Sequence, residues 1–253
     1  MRHLNVKKRF ERSKVIEMQE QFARTSLLLG QEAMKRLENA KVAVFGIGGV
    51  GGYVVEALAR SGIGSLVLVD HDRVSLTNLN RQIIATHKTI GQYKVDVMKE
   101  RILEINPEVK VEVHRCFFLP ENAQEFDFTS YSYVVDAVDT VTAKIAIIMK
   151  ALESQTPIIS SMGAGNKLDP TKFQVADLYQ TTVCPLAKVM RRELRKRGVK
   201  QLRVVYSTEE PTTLHNKSEQ QSQQERKVLP GSVAFVPSVA GLILAGEVIK
   251  ELS

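Results

Sequence analysis

Cysteine is scarce in this sequence, which holds only Cys116 and Cys184 among its 253 residues. Two cysteines so far apart exclude a disulfide framework and cannot supply the C-x-x-C pairs of a structural zinc site. Reducing surroundings fit that usage. A membrane-length apolar run is also missing, because the most apolar stretch, 233–249, is interrupted by Pro237, two glycines and Glu247. It reads as a buried closing helix. The basic leader with Lys7, Lys8, Arg9, Arg12 and Lys14 precedes neither an apolar run nor a small-residue cleavage site, so it does not resemble a secretory signal. A cytoplasmic location is expected. No internal repeat is found.

What is present suits a globular α/β chain. A hydrophobic fraction of 43% is enough for a full core. The formal charge of +7 and pI near 9.4 permit a polyanionic partner without establishing one. Residues 21–39 carry helical apolar spacing with a break at Gly30, after which strand and helix patterns alternate. Strands are expected at 41–45, 65–69, 110–114, 133–135 and 157–160. Helices are expected at 50–60, 93–105 and 143–152. Such βαβ alternation predicts an α/β fold: a Rossmann-like, mostly parallel sheet with helices on both faces. Past Ser161 the alternation stops, and two strands, 174–176 and 202–206, flank a basic amphipathic helix. This is read as an appended C-terminal lobe. The predicted organisation is a basic extension at 1–18 and one domain at 19–253, with a nucleotide-binding core at 40–161 and the lobe at 162–253. Residues 215–227 are polar and unpatterned and read as a mobile loop.

The segment 42–51 places G-x-G-x-x-G directly after a strand and before a helix. Gly46 serves the tight turn, Gly48 lets a phosphate approach the backbone, and Gly51 permits close helix packing. Asp70 ends the next strand, where a carboxylate can accept from ribose hydroxyls. From these residues alone an NAD-dependent dehydrogenase is the favoured reading, since that fold hosts many such enzymes. Arg81 and Lys94 follow, and two fixed cations suit a triphosphate, since arginine can fork onto phosphate oxygens and lysine supplies a compact charge. Asp139 lies just past the strand at 133–135, at the sheet edge where ligands collect, and a carboxylate there can hold Mg²⁺ against ATP phosphates. A helix N-cap is its alternative role.

The ordered set G-I-G-G-V-G, D-H-D, T-N-L-N-R-Q, G-x-x-K and D-x-x-D resembles the adenylation core of the ThiF/MoeB/HesA superfamily over roughly residues 21–161. The resemblance implies ATP bound by Gly49, Asp70, Asp72, Asn78, Arg81, Gln82 and Lys94, with Asp139 on Mg²⁺. It also implies that Arg24 reaches the partner subunit's site, and hence a homodimer. Arg81, Lys94, Asp139 and Arg24 are the expected catalytic set. The sequence departs from the sulfur-carrier activators of that superfamily, which often have asparagine where Thr140 stands, and it lacks their zinc cysteines.

From Gln21 onward the chain resembles a subgroup, the tRNA threonylcarbamoyladenosine dehydratases. Residues 21–25, 163–171, 205–209, 231–237 and 239–241 carry that likeness. It implies that the threonyl carboxylate of the modified adenosine at tRNA position 37 is adenylated and then attacked within the same nucleoside, closing a ring and releasing AMP. No enzymic nucleophile is needed when the attacking group is already attached to the substrate. Cys184 and Cys116 accordingly read as packing residues. A tRNA substrate gives the basic helix a purpose, with Lys188, Arg191, Arg192 and Arg195 as candidate phosphate contacts on a basic face continued by Lys196, Arg197, Lys200 and Arg203. A solvated basic face is the plainer reading. The alternative function is adenylation of the C-terminal glycine of a ubiquitin-like sulfur carrier, and a sulfur-transfer protein is a further candidate partner.

Overall fold

The computed structural model describes residues 20–213 and 230–253, so the basic extension and the loop expected at 215–227 lie outside the described residues. Helices α1 (Ala23–Leu29) and α2 (Gln31–Asn39) are separated at Gly30, whose φ of +87° suits a residue without a side chain. Then follow β1 (Lys41–Phe45), α3 (Gly51–Arg60), β2 (Ser65–Val69), α4 (Lys94–Ile105), β3 (Lys110–His114), β4 (Tyr133–Asp136), α5 (Val141–Glu153) and β5 (Ile158–Ser161). Strand β6 (Phe173–Asp177), α6 (Pro185–Lys196), β7 (Arg203–Ser207) and α7 (Phe235–Leu252) complete the order.

One seven-stranded sheet results, in the order β3-β2-β1-β4-β5-β7-β6. Every neighbouring pair is parallel except β6 with β7. The α/β class and the mostly parallel sheet are therefore as expected. The region past Ser161 is appended to that sheet rather than standing apart from it, since β7 pairs with β5. Its two strands extend the core.

Strand side chains alternate between two apolar layers, as a sheet covered on both faces requires. Val42, Val44, Leu66 and Leu68 face α3, α4 and α7, whereas Ala43, Phe45, Val67 and Val69 face α5, α6 and a group of rings. Phe45, Phe118, Phe126 and Phe128 form that group, with centroids 5.0–5.9 Å apart. Stretch 233–249 does become a closing helix, α7, which packs on α3. Glu56 of α3 is buried between Arg60 and Arg101, which donate to it at 2.8 and 2.7 Å. Burial opposes its charge, yet the bonds from Arg101 and Arg60 outweigh that cost and hold its carboxyl below the usual range. Helices α3 and α4 are thereby pinned together.

Candidate functional site

Strands β1 and β4 are neighbours whose following helices cover opposite faces, which opens a crevice at their carboxyl ends. The glycine loop forms one wall. Gly46 has φ +88°, and a Cβ there would sit 2.8 Å from the Ala137 carbonyl oxygen; one on Gly51 would sit 1.7 Å from the Gly46 carbonyl oxygen. Both positions require glycine for packing. A Cβ on Gly48 would meet nothing nearer than Gln82 Nε2 at 3.8 Å, so the middle of the loop is open towards the crevice. Gly49 lies against Pro237 of α7 and Arg81.

The crevice encloses about 620 Å³ and gathers the glycine loop, Asp70, Asp72, Asn78, Arg81, Gln82, Lys94 and Asp139. Asp70 accepts from the Ile47 N–H at 2.6 Å and from the Asp72 N–H at 2.8 Å, which ties the glycine loop to the end of β2. Its outer lone pairs remain for hydroxyl donors. Lys94 is buried at the start of α4, with Nζ 2.7 Å from Asp72 Oδ2. Arg81 donates through one terminal nitrogen to the Thr77 carbonyl and to Asn80 Oδ1, which steers the guanidinium. Asn78 is buried and accepts from the Ser75 N–H at 3.1 Å. Gln82 Oε1 is buried without a hydrogen-bond partner among the described residues. A buried acceptor left unmade in a ligand-sized cleft is what a bound donor would satisfy.

Asp139 is exposed on the opposing wall, and its contact within the chain is a long one from Thr140 Oγ1 at 3.4 Å. Asp70, His71 and Asp72 bring ligand atoms within 4.8 Å of one another, but Asp72 is engaged with Lys94 and Asp70 with backbone N–H groups. Asp139 is thus the crevice carboxylate freest to take a cation, and this donor set fits Mg²⁺, which favours a carboxylate supplemented by substrate oxygens. Beneath it lies a pair the sequence reading left without a role: Asp136 and Lys144, both at 0% side-chain exposure and 2.8 Å apart.

The far rim is assembled from distant segments. Asn166, in a left-handed conformation at φ +57°, donates its N–H to the Gly231 carbonyl at 2.8 Å. Its side chain accepts from the Gly231 N–H at 2.6 Å, while its carbonyl accepts from the Thr212 N–H at 2.7 Å. Asn80 reaches across to the Ser232 carbonyl at 3.0 Å. Cys184 is buried beside Gly163, as expected of a packing residue. Cys116 departs from its expected core position: it is half-buried and lines the crevice. Burial, with Glu125 nearby, pushes its thiol pKa up.

Two expected groups are not in the crevice. Arg24 is exposed on α1, a helix with no buried residue, beside Leu27 and Leu28, which are 86% and 88% exposed. On α6, Lys188, Arg192 and Arg195 are exposed, whereas Arg191 is half-buried and donates to the Thr181 carbonyl at 2.9 Å. Arg203, read from sequence as part of the same basic face, instead pairs with Glu247 and Glu251 of α7.

With this geometry in place, comparison with known proteins is decisive about ancestry. The family model described as "ThiF family" matches residues 19–253. The chain belongs to the ThiF family. Among ThiF relatives, it is 46% identical over 242 residues to the tRNA threonylcarbamoyladenosine dehydratase of Bacillus subtilis, covering 93% of this chain and 95% of that one. The crystal structure of the Escherichia coli tRNA N6-threonylcarbamoyladenosine dehydratase, TcdA, in complex with AMP superposes with a TM-score of 0.84. It is 35% identical, over 92% of this chain and 94% of that one. The ATP complex of the same E. coli protein gives a TM-score of 0.83.

Proposed function

We propose that this chain is an ATP-dependent, adenylate-forming enzyme that dehydrates N6-threonylcarbamoyladenosine in tRNA through a carboxyl-adenylate. The observation that carries this reading is co-extension: the match to the B. subtilis dehydratase takes in 93% of this chain and 95% of its relative. The catalytic core and the segments past β5 are therefore shared together. The chemistry of the crevice supports it. Gly48 is open to a phosphate, the N-terminus of α3 supplies anion-binding N–H groups, and Asp70 can accept from a ribose.

Adenylation joins a carboxylate oxygen to the α-phosphorus of ATP and expels pyrophosphate, so negative charge builds on the departing oxygens. Arg81 and Lys94 stabilise that charge, and their backbone and Asp72 contacts pre-orient them. Mg²⁺, held by Asp139, would add Lewis-acid charge neutralisation. A group of the same nucleoside then attacks the acyl carbon, losing its proton as the acyl–oxygen bond to AMP breaks, so the ring closes, the carboxyl oxygen leaves on AMP and the nucleoside is lighter by one water. No thiolate is required for this, in keeping with a buried Cys184 and a Cys116 whose pKa is raised. The exposed cations of α6 suit the tRNA backbone.

Incubation with ATP, Mg²⁺ and tRNA bearing threonylcarbamoyladenosine should release one AMP per nucleoside that loses the mass of one water. AMP release stimulated only by a carrier protein ending in Gly-Gly would replace this reading with carrier activation.

Arg24 and the bare apolar residues of α1 fit a homodimer in which this arginine enters the partner subunit's crevice. Mixing inactive Arg24→Ala and Arg81→Ala proteins should then restore about a quarter of the sites, because each mixed dimer keeps one intact crevice. Absence of recovery under exchange of subunits would leave the in-trans role of Arg24 unsupported.

A further inference from the structure

The turn that presents Asp139 is gripped from below by fully buried groups that do not line the crevice. Asp136, at the end of β4, accepts from Lys144 Nζ at 2.8 Å and from Ser160 Oγ at 2.6 Å on the same oxygen, Oδ2. Its other oxygen accepts from the Val138 N–H at 3.2 Å, while Lys144 Nζ also donates to the Val138 carbonyl at 3.0 Å. Val138, the residue before Asp139, is therefore held at both its N–H and its C=O. Beyond Asp139, the Lys144 N–H bonds the Thr140 carbonyl at 3.0 Å and closes the first turn of α5. Asp139 is fixed on both sides by one lysine and its anchor.

Stability alone is a poor reason for such a pair, since replacing a buried ion pair with apolar groups of similar volume is often neutral or stabilising. A satisfied buried network instead rigidifies the backbone it binds. We infer that Lys144, anchored by Asp136 and Ser160, is a positioning residue that keeps the Asp139 carboxylate presented to the crevice, where it would take a divalent cation together with nucleotide phosphate oxygens. The inference rests on the ATP-binding reading above, but not on the identity of the acceptor substrate.

The test is ATP binding by the full chain, titrated with Mg²⁺ in the absence of tRNA. Lys144→Met by itself would strand a buried carboxylate, so the pair is replaced together as Asp136→Asn with Lys144→Met, and folding is checked by circular dichroism. The expected result is unchanged ATP affinity without divalent cation but an about tenfold higher Mg²⁺ requirement, the scale of losing a charged hydrogen bond. Ser160→Ala removes one bond to Asp136 without unpairing a charge, and it should raise the requirement about threefold. It decides the matter if the double variant does not fold. Lys144→Arg, which can still donate to both oxygens, should restore most of the wild-type requirement. A wild-type Mg²⁺ requirement in the folded double variant, or in Ser160→Ala where that is the only folded variant, would make the pair purely structural. If wild-type protein binds Mg·ATP yet leaves modified tRNA unchanged, the dehydratase reading fails while this test stands.

Discussion

The two walls of the crevice are built in different ways. On the glycine-loop side the bonds join residues of one or two consecutive βα units: Ile47 to Asp70, Asp72 to Lys94, Arg81 to Thr77. On the far rim, past β5, they join segments well separated along the chain, with Asn166 fastened to Thr212 and Gly231, and Glu209 accepting from the N–H groups of Leu168 and Asp169. A wall made locally is fixed by steric rules that admit little variation. The wall made by long-range contacts can be reshaped segment by segment. This division lets one nucleotide-holding frame serve different carboxylates, because the acceptor side can change without disturbing the phosphates.

The sharpest way to break the contrast is within the glycine loop. Gly46→Ala combines a left-handed φ with a Cβ 2.8 Å from backbone, and it should cost about 3 kcal/mol or more, read as a large fall in denaturation midpoint. Gly48→Ala would make only an ordinary contact with Gln82, so stability should stay within about 0.5 kcal/mol while ATP affinity drops. Equal stability of the two variants would show that the loop is not sterically locked.

A smaller effect is expected on α6. Replacing Arg192 and Arg195 by alanine should weaken tRNA binding and lower the salt slope by about two, as for two lost phosphate contacts, with little change in stability. Arg191→Ala should instead destabilise by about 1 kcal/mol, since its guanidinium holds the Thr181 carbonyl. If Arg191 proves the dominant tRNA contact, the assignment of the face is reversed.

The same division explains what could be read from sequence. The β1–α3–β2 unit, the roles of Gly46 and Gly51 and the break at Gly30 follow from local pattern and steric need, and they lie where expected. Gathering Asp70, Asp72, Asn78, Arg81, Gln82, Lys94 and Asp139 in one crevice was legible through the likeness of the ordered motifs to the ThiF core, while Asp70 and Asp139 were also placed by their positions just past strands. The bracing was not. Nothing near Lys144 in sequence announces that it pairs with Asp136 instead of facing solvent on its helix, and nothing near Asn166 announces Gly231. Arg203 was grouped with the α6 cations because its partners, Glu247 and Glu251, lie on a helix far downstream. Cys116 follows the edge strand β3 beside two phenylalanines, yet the chain turns there to line the crevice, a bend with no signature in apolar content.

The seating of α7 bears on how the protein can be made. Gly241 lies so close to α3 that a Cβ would come 2.3 Å from the Val50 carbonyl oxygen, and Pro237 lies against Gly49. The loop that would cradle the phosphates is therefore backed by a segment synthesised long after it. During synthesis the emerging chain can pair β1, β2 and β4 early, but it has to carry α3 with an uncovered apolar flank until α7 arrives. Translation products interrupted before α7 would thus hold the nucleotide motif without its backing, which couples competence to bind ATP with synthesis of that helix.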